Sequence, residues 1–391
     1  MAMDAFAPAE LGSLRLRNRV IKTATYEGMC PGGIPSDALV EHHRALAAGG
    51  VGMTTVAYCS VSADGRTFAE QMYMRPEVLA PLRLVTDAVH REGGAASLQL
   101  GHCGWFTKNA ELSTRLPRGP SLTFNAYGLS AGKPIAVAMN PGEIARVTQE
   151  FGRAAGLARE AGFDAVELHL GHGYLLSQFL CPATNRRKDA YGGSLAGRAR
   201  FPLEVARRVR EVVGPGFPIL CKTNLRDGFS GGLEVPDAVG LAQRLEREGV
   251  AALVLSGGFT SKTPFYLFRG RRPLKEMIEV EKSRLQKLAL AWFGRSVIRE
   301  YPFEEMFFLP EAREVRRAVR MPLVLLGGIV SRENVDRAMQ EGFDFVAMGR
   351  ALIANPDLVN RMRSDRTARS RCNHCNICVA EMDRSGVRCV L

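Results

Sequence analysis

Residues 165–201 read AVELHLGHGYLLSQFLCPATNRRKDAYGGSLAGRARF, and this stretch decides the fold. A short apolar run at 165–168 has the pattern of a buried strand, and it ends in His169 with His172 and Tyr174 just beyond. Two imidazoles and a phenol are thereby held above a strand tip, where α/β barrels gather their reactive groups. A single histidine or tyrosine at a strand end is usually no more than a satisfied polar group. Three of them in this order point to chemistry.

Outward from this stretch, short apolar runs alternate with amphipathic segments eight times. Strands are expected at 19–23, 53–57, 95–100, 165–169, 219–223, 252–256, 323–326 and 345–348. Helices are expected around 37–48, 78–92, 143–161, 198–213, 236–248, 311–318 and 332–341, with a last one at 356–362. Asn140, Pro141 and Glu143 form a good helix start, with Asn as N-cap, Pro at N1 and Glu reaching back from N3. Eight such units close most naturally into a TIM (β/α)8 barrel over residues 1–365. An open doubly wound sheet is disfavoured, because no Gly-x-Gly-x-x-Gly follows the first strand. Two segments exceed the minimal barrel: a loop at 105–139, expected to wall the mouth, and an insertion at 257–310 after strand 6. Within the insertion Leu274, Met277, Ile278, Leu285, Leu288, Ala289 and Trp292 recur at helical spacing. A lid, a subunit contact or an interfacial membrane helix would each suit that stripe, with lid or subunit contact favoured.

The chain has 391 residues, 46% of them hydrophobic, and its mean hydropathy is −0.06. The start MAMDAFAPAEL has neither a basic n-region nor an apolar h-region, and no run long enough to span a bilayer is present, so a cytoplasmic location is expected. The net charge of +12 invites a nucleic-acid reading, but the cations spread along helix faces without interleaved aromatics. A solvated surface, or attraction of anionic cofactors and substrates, accounts for the charge as well, and no nucleic acid is expected.

The 165–201 run resembles the Old Yellow Enzyme family of FMN-dependent oxidoreductases, in which His-x-x-His/Asn-Gly-Tyr-Leu precedes an Asn-Arg-Arg and a Tyr-Gly-Gly segment. The resemblance implies bound FMN, NAD(P)H as reductant, and reduction of an activated alkene. It assigns His169 and His172 to a carbonyl oxygen and Tyr174 to proton donation. On the flavin side it implies roles for Gln99 on strand 3, for Lys222 where relatives usually carry Arg, for Ala24 and Thr25 after strand 1, and for Ala57 and Tyr58 after strand 2. Tyr26 stands where trimethylamine dehydrogenase carries a cysteine bonded to FMN, so a non-covalent flavin is implied. Gly327-Gly328 and Gly349-Arg350 end strands 7 and 8, where barrels commonly bind phosphate, and Arg350 adds a fork of donors. His102, in LGHCGW, is expected to shape the pocket rather than react.

Of nine cysteines, Cys30, Cys59, Cys103, Cys181 and Cys221 are scattered, whereas Cys372, Cys375, Cys378 and Cys389 crowd the tail at 366–391. Four thiolates at Cys-x-x-Cys-x-x-Cys, with a fourth after ten more residues, suit a [4Fe–4S] cluster or a structural zinc ion. Position after strand 8 resembles the cluster site in 2,4-dienoyl-CoA reductase and trimethylamine dehydrogenase, which favours iron–sulfur. Electrons would then come from NAD(P)H directly, or from a ferredoxin or reductase partner. Two rival functions stand beside the ene-reductase: an amine or C–H dehydrogenase passing electrons to a partner, and a non-catalytic basic binding barrel. A homo-oligomer is left open.

Overall fold

The computed structural model describes residues 3–391. Eight parallel strands close on themselves: β1 (Val20–Lys22), β2 (Met53–Ser60), β3 (Ala95–Gly101), β4 (Ala165–Leu170), β5 (Ile219–Asn224), β6 (Ala252–Ser256), β7 (Leu323–Leu326) and β8 (Phe345–Met348). Neighbours in the ring are neighbours in sequence, and β8 pairs with β1 to complete a TIM barrel. Crossover helices span Asp37–Ala48, Leu79–Arg91, Pro141–Glu160, Leu195–Val213, Val235–Arg247, Leu309–Ala318 and Arg332–Gln340. The expected elements thus stand within a few residues of their predicted places.

Each strand is buried along its whole length, yet a period of two operates inside the run. In β4, Val166, Leu168 and Leu170 face the helices, while Ala165 joins the core enclosed by the barrel. Glu167 and His169 share the inward side with Ala165 by alternation. In β5 the same rule sends Ile219 and Cys221 outward and Leu220 inward, with Lys222 and Asn224 following Leu220. Apolar side chains fill the barrel's amino-terminal half, where an antiparallel hairpin, Ala9–Leu11 with Leu14–Leu16, adds Leu11 and Leu16 to the same cluster. Polar side chains occupy the carboxyl-terminal half. That division places the chemistry.

The Asn140 start forms as a full capping box: Asn140 Oδ1 accepts from Glu143 N at 2.9 Å, and Glu143 Oε2 accepts from Asn140 N at 2.8 Å. Asn140→Ala leaves the Glu143 N–H short of a partner and is expected to cost about 1 kcal/mol. Urea unfolding of the variant, showing a lower midpoint at unchanged slope, checks this.

Both excursions and the tail gather at the barrel's carboxyl end. Residues 105–139 carry a small sheet of Arg118–Gly119, Thr123–Phe124 and Ile135–Ala138. The strand-6 insertion forms helices Leu274–Val280 and Arg284–Val297. Leu274, Met277 and Ile278 are half-buried, whereas Leu288, Ala289 and Trp292 are exposed; the Leu285 side chain lies outside the described ones. The stripe therefore covers the protein with its first helix only. The tail returns across the mouth: Val387 N donates to Glu27 O at 2.7 Å, and Asn376 Nδ2 donates to Phe268 O at 2.6 Å and Arg271 O at 2.9 Å. Among the described residues, no helix is long and apolar enough to cross a membrane.

Candidate active site

The strand ends surround two cavities, of about 650 and 1580 Å³, that share Ala24, Thr25, His172 and Arg350 among their lining residues. The first runs beneath Gly327, Gly328 and Gly349, and Lys222 lies at its floor. The second holds Ala57, Tyr58, Gln99, His169 and Tyr174 and is walled by aromatic rings. The structure thus brings all the residues singled out for the barrel to one mouth, although they come from seven different strand ends. His102 is an exception to its expectation. It lines a separate small pocket with Asp64 and Arg146, and its Nδ1 accepts from Gly104 N at 3.0 Å, because β3 has already turned away from the mouth at Gly101.

His169, His172 and Tyr174 form a tight group. Ring centroids lie 4.9 Å apart for the two histidines and 4.8 Å for His169 and Tyr174, with Tyr58 4.7 Å from Tyr174. His172 adopts φ 59°, an uncommon conformation outside glycine, and its backbone N donates to Asn224 Oδ1 at 3.1 Å. Its Nε2 is 2.7 Å from Ser256 Oγ, which fixes the ring. Gly173, at φ 78°, packs against the Phe259 ring so closely that no side chain fits there. His169 Nδ1 is buried and has no hydrogen-bond partner in the protein, so it is a donor or acceptor waiting for a ligand.

Burial keeps the whole group uncharged. It drives His169 well below the ordinary imidazole range, with His172 and Lys222 adding to the effect. His172 is lowered to about 3 by burial and by Lys222. The Tyr174 phenol is pushed up to about 12, chiefly by burial. At neutral pH the mouth therefore offers two neutral imidazoles and one protonated phenol.

Beneath them lies a charge pair that the sequence did not reveal. Lys222 Nζ sits 2.8 Å from Glu167 Oε1, both side chains 2% exposed, and donates to Thr23 Oγ1 at 2.9 Å. Gln99 Nε2 donates to the same Glu167 oxygen at 2.7 Å. The register explains the meeting, since Gln99 stands opposite Glu167 on β3 and β4, and Lys222 opposite His169 on β5. A second missed residue, Glu27, accepts from Ala57 N at 3.1 Å where the β2–β3 register shifts between Val56 and Cys59. The bulge frees that N–H from the ladder and turns Ala57 and Tyr58 toward the cavity.

At the glycine end, Gly327 and Gly328 have φ 100° and 75°, and any side chain there would strike Phe307, Phe308 or the Glu304 carbonyl. Only glycine keeps the backbone open to a close approach. Arg350 lines the same cavity, and its Nη1 donates to Arg269 O of the strand-6 insertion at 2.8 Å and to Asn376 Oδ1 of the tail at 2.5 Å. All four tail cysteines line one pocket of about 290 Å³ with Arg350 and Asn376, and Cys378 also lines the aromatic cavity. Among the described residues, no three His, Cys, Asp or Glu side chains converge tightly enough for a single metal ion.

Residues 4–256 match the model of the NADH:flavin oxidoreductase / NADH oxidase family. The chain belongs to that family. A 4,4'-dithiodibutanoate disulfide reductase of Rhodococcus erythropolis is 43% identical over 99% of this chain and 94% of its own length. An NADH oxidase of Thermoanaerobacter brockii is 31% identical over 96% of this chain but only 53% of its own, so the chain spans about half that relative. The Old Yellow Enzyme homologue of Zymomonas mobilis shares the fold at TM-score 0.72 and 23% identity, covering 95% of each chain. As a member of the NADH:flavin oxidoreductase family the protein is a flavin-dependent oxidoreductase, which removes the non-catalytic reading.

Proposed function

We propose that this protein holds FMN across the barrel mouth and reduces an electron-poor double bond conjugated to a carbonyl. The observation carrying this reading is the neutral His169–His172–Tyr174 group facing one cavity with an orphaned His169 nitrogen. The residues fit the flavin. Gly327 and Gly328 offer backbone N–H groups to its phosphate, Gln99 an amide to its pyrimidine edge, Lys222 a cation beside N1 and O2, and Ala24, Thr25, Ala57 and Tyr58 a wall against the rings. Bound there, FMN supplies a hydride. His169 and His172 hold the carbonyl oxygen of the substrate by neutral hydrogen bonds, where negative charge develops as the alkene is attacked. Tyr174 delivers a proton to the α-carbon from the phenolic oxygen, and burial keeps that proton in place.

The tail is proposed to hold a [4Fe–4S] cluster on Cys372, Cys375, Cys378 and Cys389, since all four line one pocket and Cys378 reaches the flavin-side cavity. Such a cluster supplies single electrons. Cys375→Ser is expected to lower iron content towards zero without removing flavin; full iron in the variant would sink the assignment.

A second reading is supported by the 43% identical disulfide reductase. The same mouth would then accept a disulfide, with hydride breaking the S–S bond and Tyr174 protonating the departing thiolate. Stopped-flow mixing of the anaerobically reduced protein with a cyclic enone and with 4,4'-dithiodibutanoate, and of the oxidised protein with a tertiary amine, separates the readings. Flavin reoxidised fastest by the enone supports the proposal, whereas a preference for the disulfide transfers the assignment. Reduction of the oxidised flavin by the amine would instead favour a dehydrogenase.

A further inference from the structure

Within the cysteine loop one side chain turns away from the others. Cys372, Asn373, Cys375, Asn376 and Cys378 line the cysteine pocket, whereas His374 lines the glycine-end cavity with Gly327, Gly328, Gly349 and Arg350. His374 takes φ 60° there, a conformation that costs free energy in any residue but glycine. The strand-6 insertion holds it in place. Arg271 N donates to His374 O at 3.0 Å, and the Phe303 ring stacks on the imidazole with centroids 3.3 Å apart at 19°. Gly270 approaches so closely that a side chain on it would strike the His374 carbonyl. For all this packing, His374 Nε2 is buried with no hydrogen-bond partner in the protein.

The cavity suits an anion. Lys222, Arg350, His172 and His374 supply its ionisable side chains, and no carboxylate is among its lining residues. Two acids lie near it, and both are already engaged. Glu167 pairs with Lys222 at 2.8 Å in the barrel interior. Glu305, near His374, pairs with Arg369 and accepts from Asn334 Nδ2 at 2.7 Å. Oxidised FMN carries its charge on the phosphate alone, so the phosphate is the part of the flavin that this end attracts.

We propose that His374 binds the FMN phosphate, donating a ring N–H to one of its oxygens and closing the cavity with a residue of the cysteine tail. The inference rests on the flavin reading above and adds to it a ligand that the barrel strands do not supply. It also gives the strand-6 insertion a task, since Gly270, Arg271 and Phe303 clamp His374 against the cavity.

The test titrates the flavin-stripped full chain with FMN and with riboflavin, which lacks the phosphate, by flavin fluorescence, with iron measured alongside. His374→Phe keeps a ring on Phe303 and removes the N–H, whereas His374→Gln retains a donor. Losing a hydrogen bond to a charged group predicts about 10- to 100-fold weaker FMN binding in His374→Phe, with riboflavin affinity unchanged. His374→Gln should recover most of the FMN affinity. Equal losses for FMN and riboflavin would show that the ring only packs, and unchanged FMN affinity in His374→Phe removes the role outright. Iron lost from His374→Phe while FMN affinity holds would move the imidazole to the cysteine site. Wild-type protein that binds neither flavin overturns the flavin reading and this proposal with it, while the other failures leave that reading standing.

Discussion

Tyr174→Phe is expected to slow alkene reduction by about 10²- to 10⁴-fold, the usual range for losing a positioned proton donor. Reduction of the flavin by NAD(P)H transfers no proton through the phenol, so that half-reaction should stay near wild type. Stopped-flow measurement of the two half-reactions makes the distinction, and equal losses in both would remove Tyr174 from the chemistry. The pH dependence follows from the same burial. A phenol at about 12 keeps its proton throughout the neutral and mildly alkaline range, so no alkaline limb from Tyr174 should appear below about pH 10. His172, at about 3, remains neutral until strongly acid conditions and brings no limb of its own where an ordinary histidine would titrate.

Lys222→Met should act on folding and flavin retention together. The substitution leaves Glu167 in the barrel interior with its Gln99 hydrogen bond but without its cation. Breaking one side of a buried ion pair typically costs about 3–5 kcal/mol, because the remaining charge keeps its desolvation penalty. Lys222→Met should therefore lower the unfolding midpoint steeply and purify largely without flavin. Lys222→Met combined with Glu167→Gln tests the cause. Removing both charges should restore much of the stability, while flavin affinity, which needs the cation itself, stays low. If the double variant is no more stable than the single one, the loss comes from packing rather than from an unpaired carboxylate.

How much of this was legible in the chain differs from element to element. The barrel was legible because each βα unit carries its own instruction: a short β-rich run followed by a helix with a local start signal such as Asn140. The His169–His172–Tyr174 group was legible because its spacing is local to one strand end. Glu167 was hidden although it sits two residues from His169. Its partners Gln99 and Lys222 come from two other strands, and only the register of a closed sheet brings them together. Arg350 is a mixed case. A glycine–arginine pair at a strand end suggests a phosphate fork, and no local signal announces that Nη1 also meets Asn376 of the tail and the Arg269 carbonyl of the strand-6 insertion.

The excursions show the same limit. Helical spacing marked one apolar stripe in the insertion, but that stripe breaks into two helices in different environments. Leu274 and Met277 pack onto the protein, while Trp292 and Phe293 stand free. Periodicity states that a face is apolar and not what covers it. The linear chain by itself determined the eightfold alternation, the helix starts and the reactive strand end, because each depends on neighbours within a few residues. Only the tertiary structure decided which charges pair in the barrel interior, that Glu27 holds the β2 bulge, and that the cysteine tail walls the cavity. Those contacts join residues far apart in sequence, and the free energy of burying them exists only once the ring has closed.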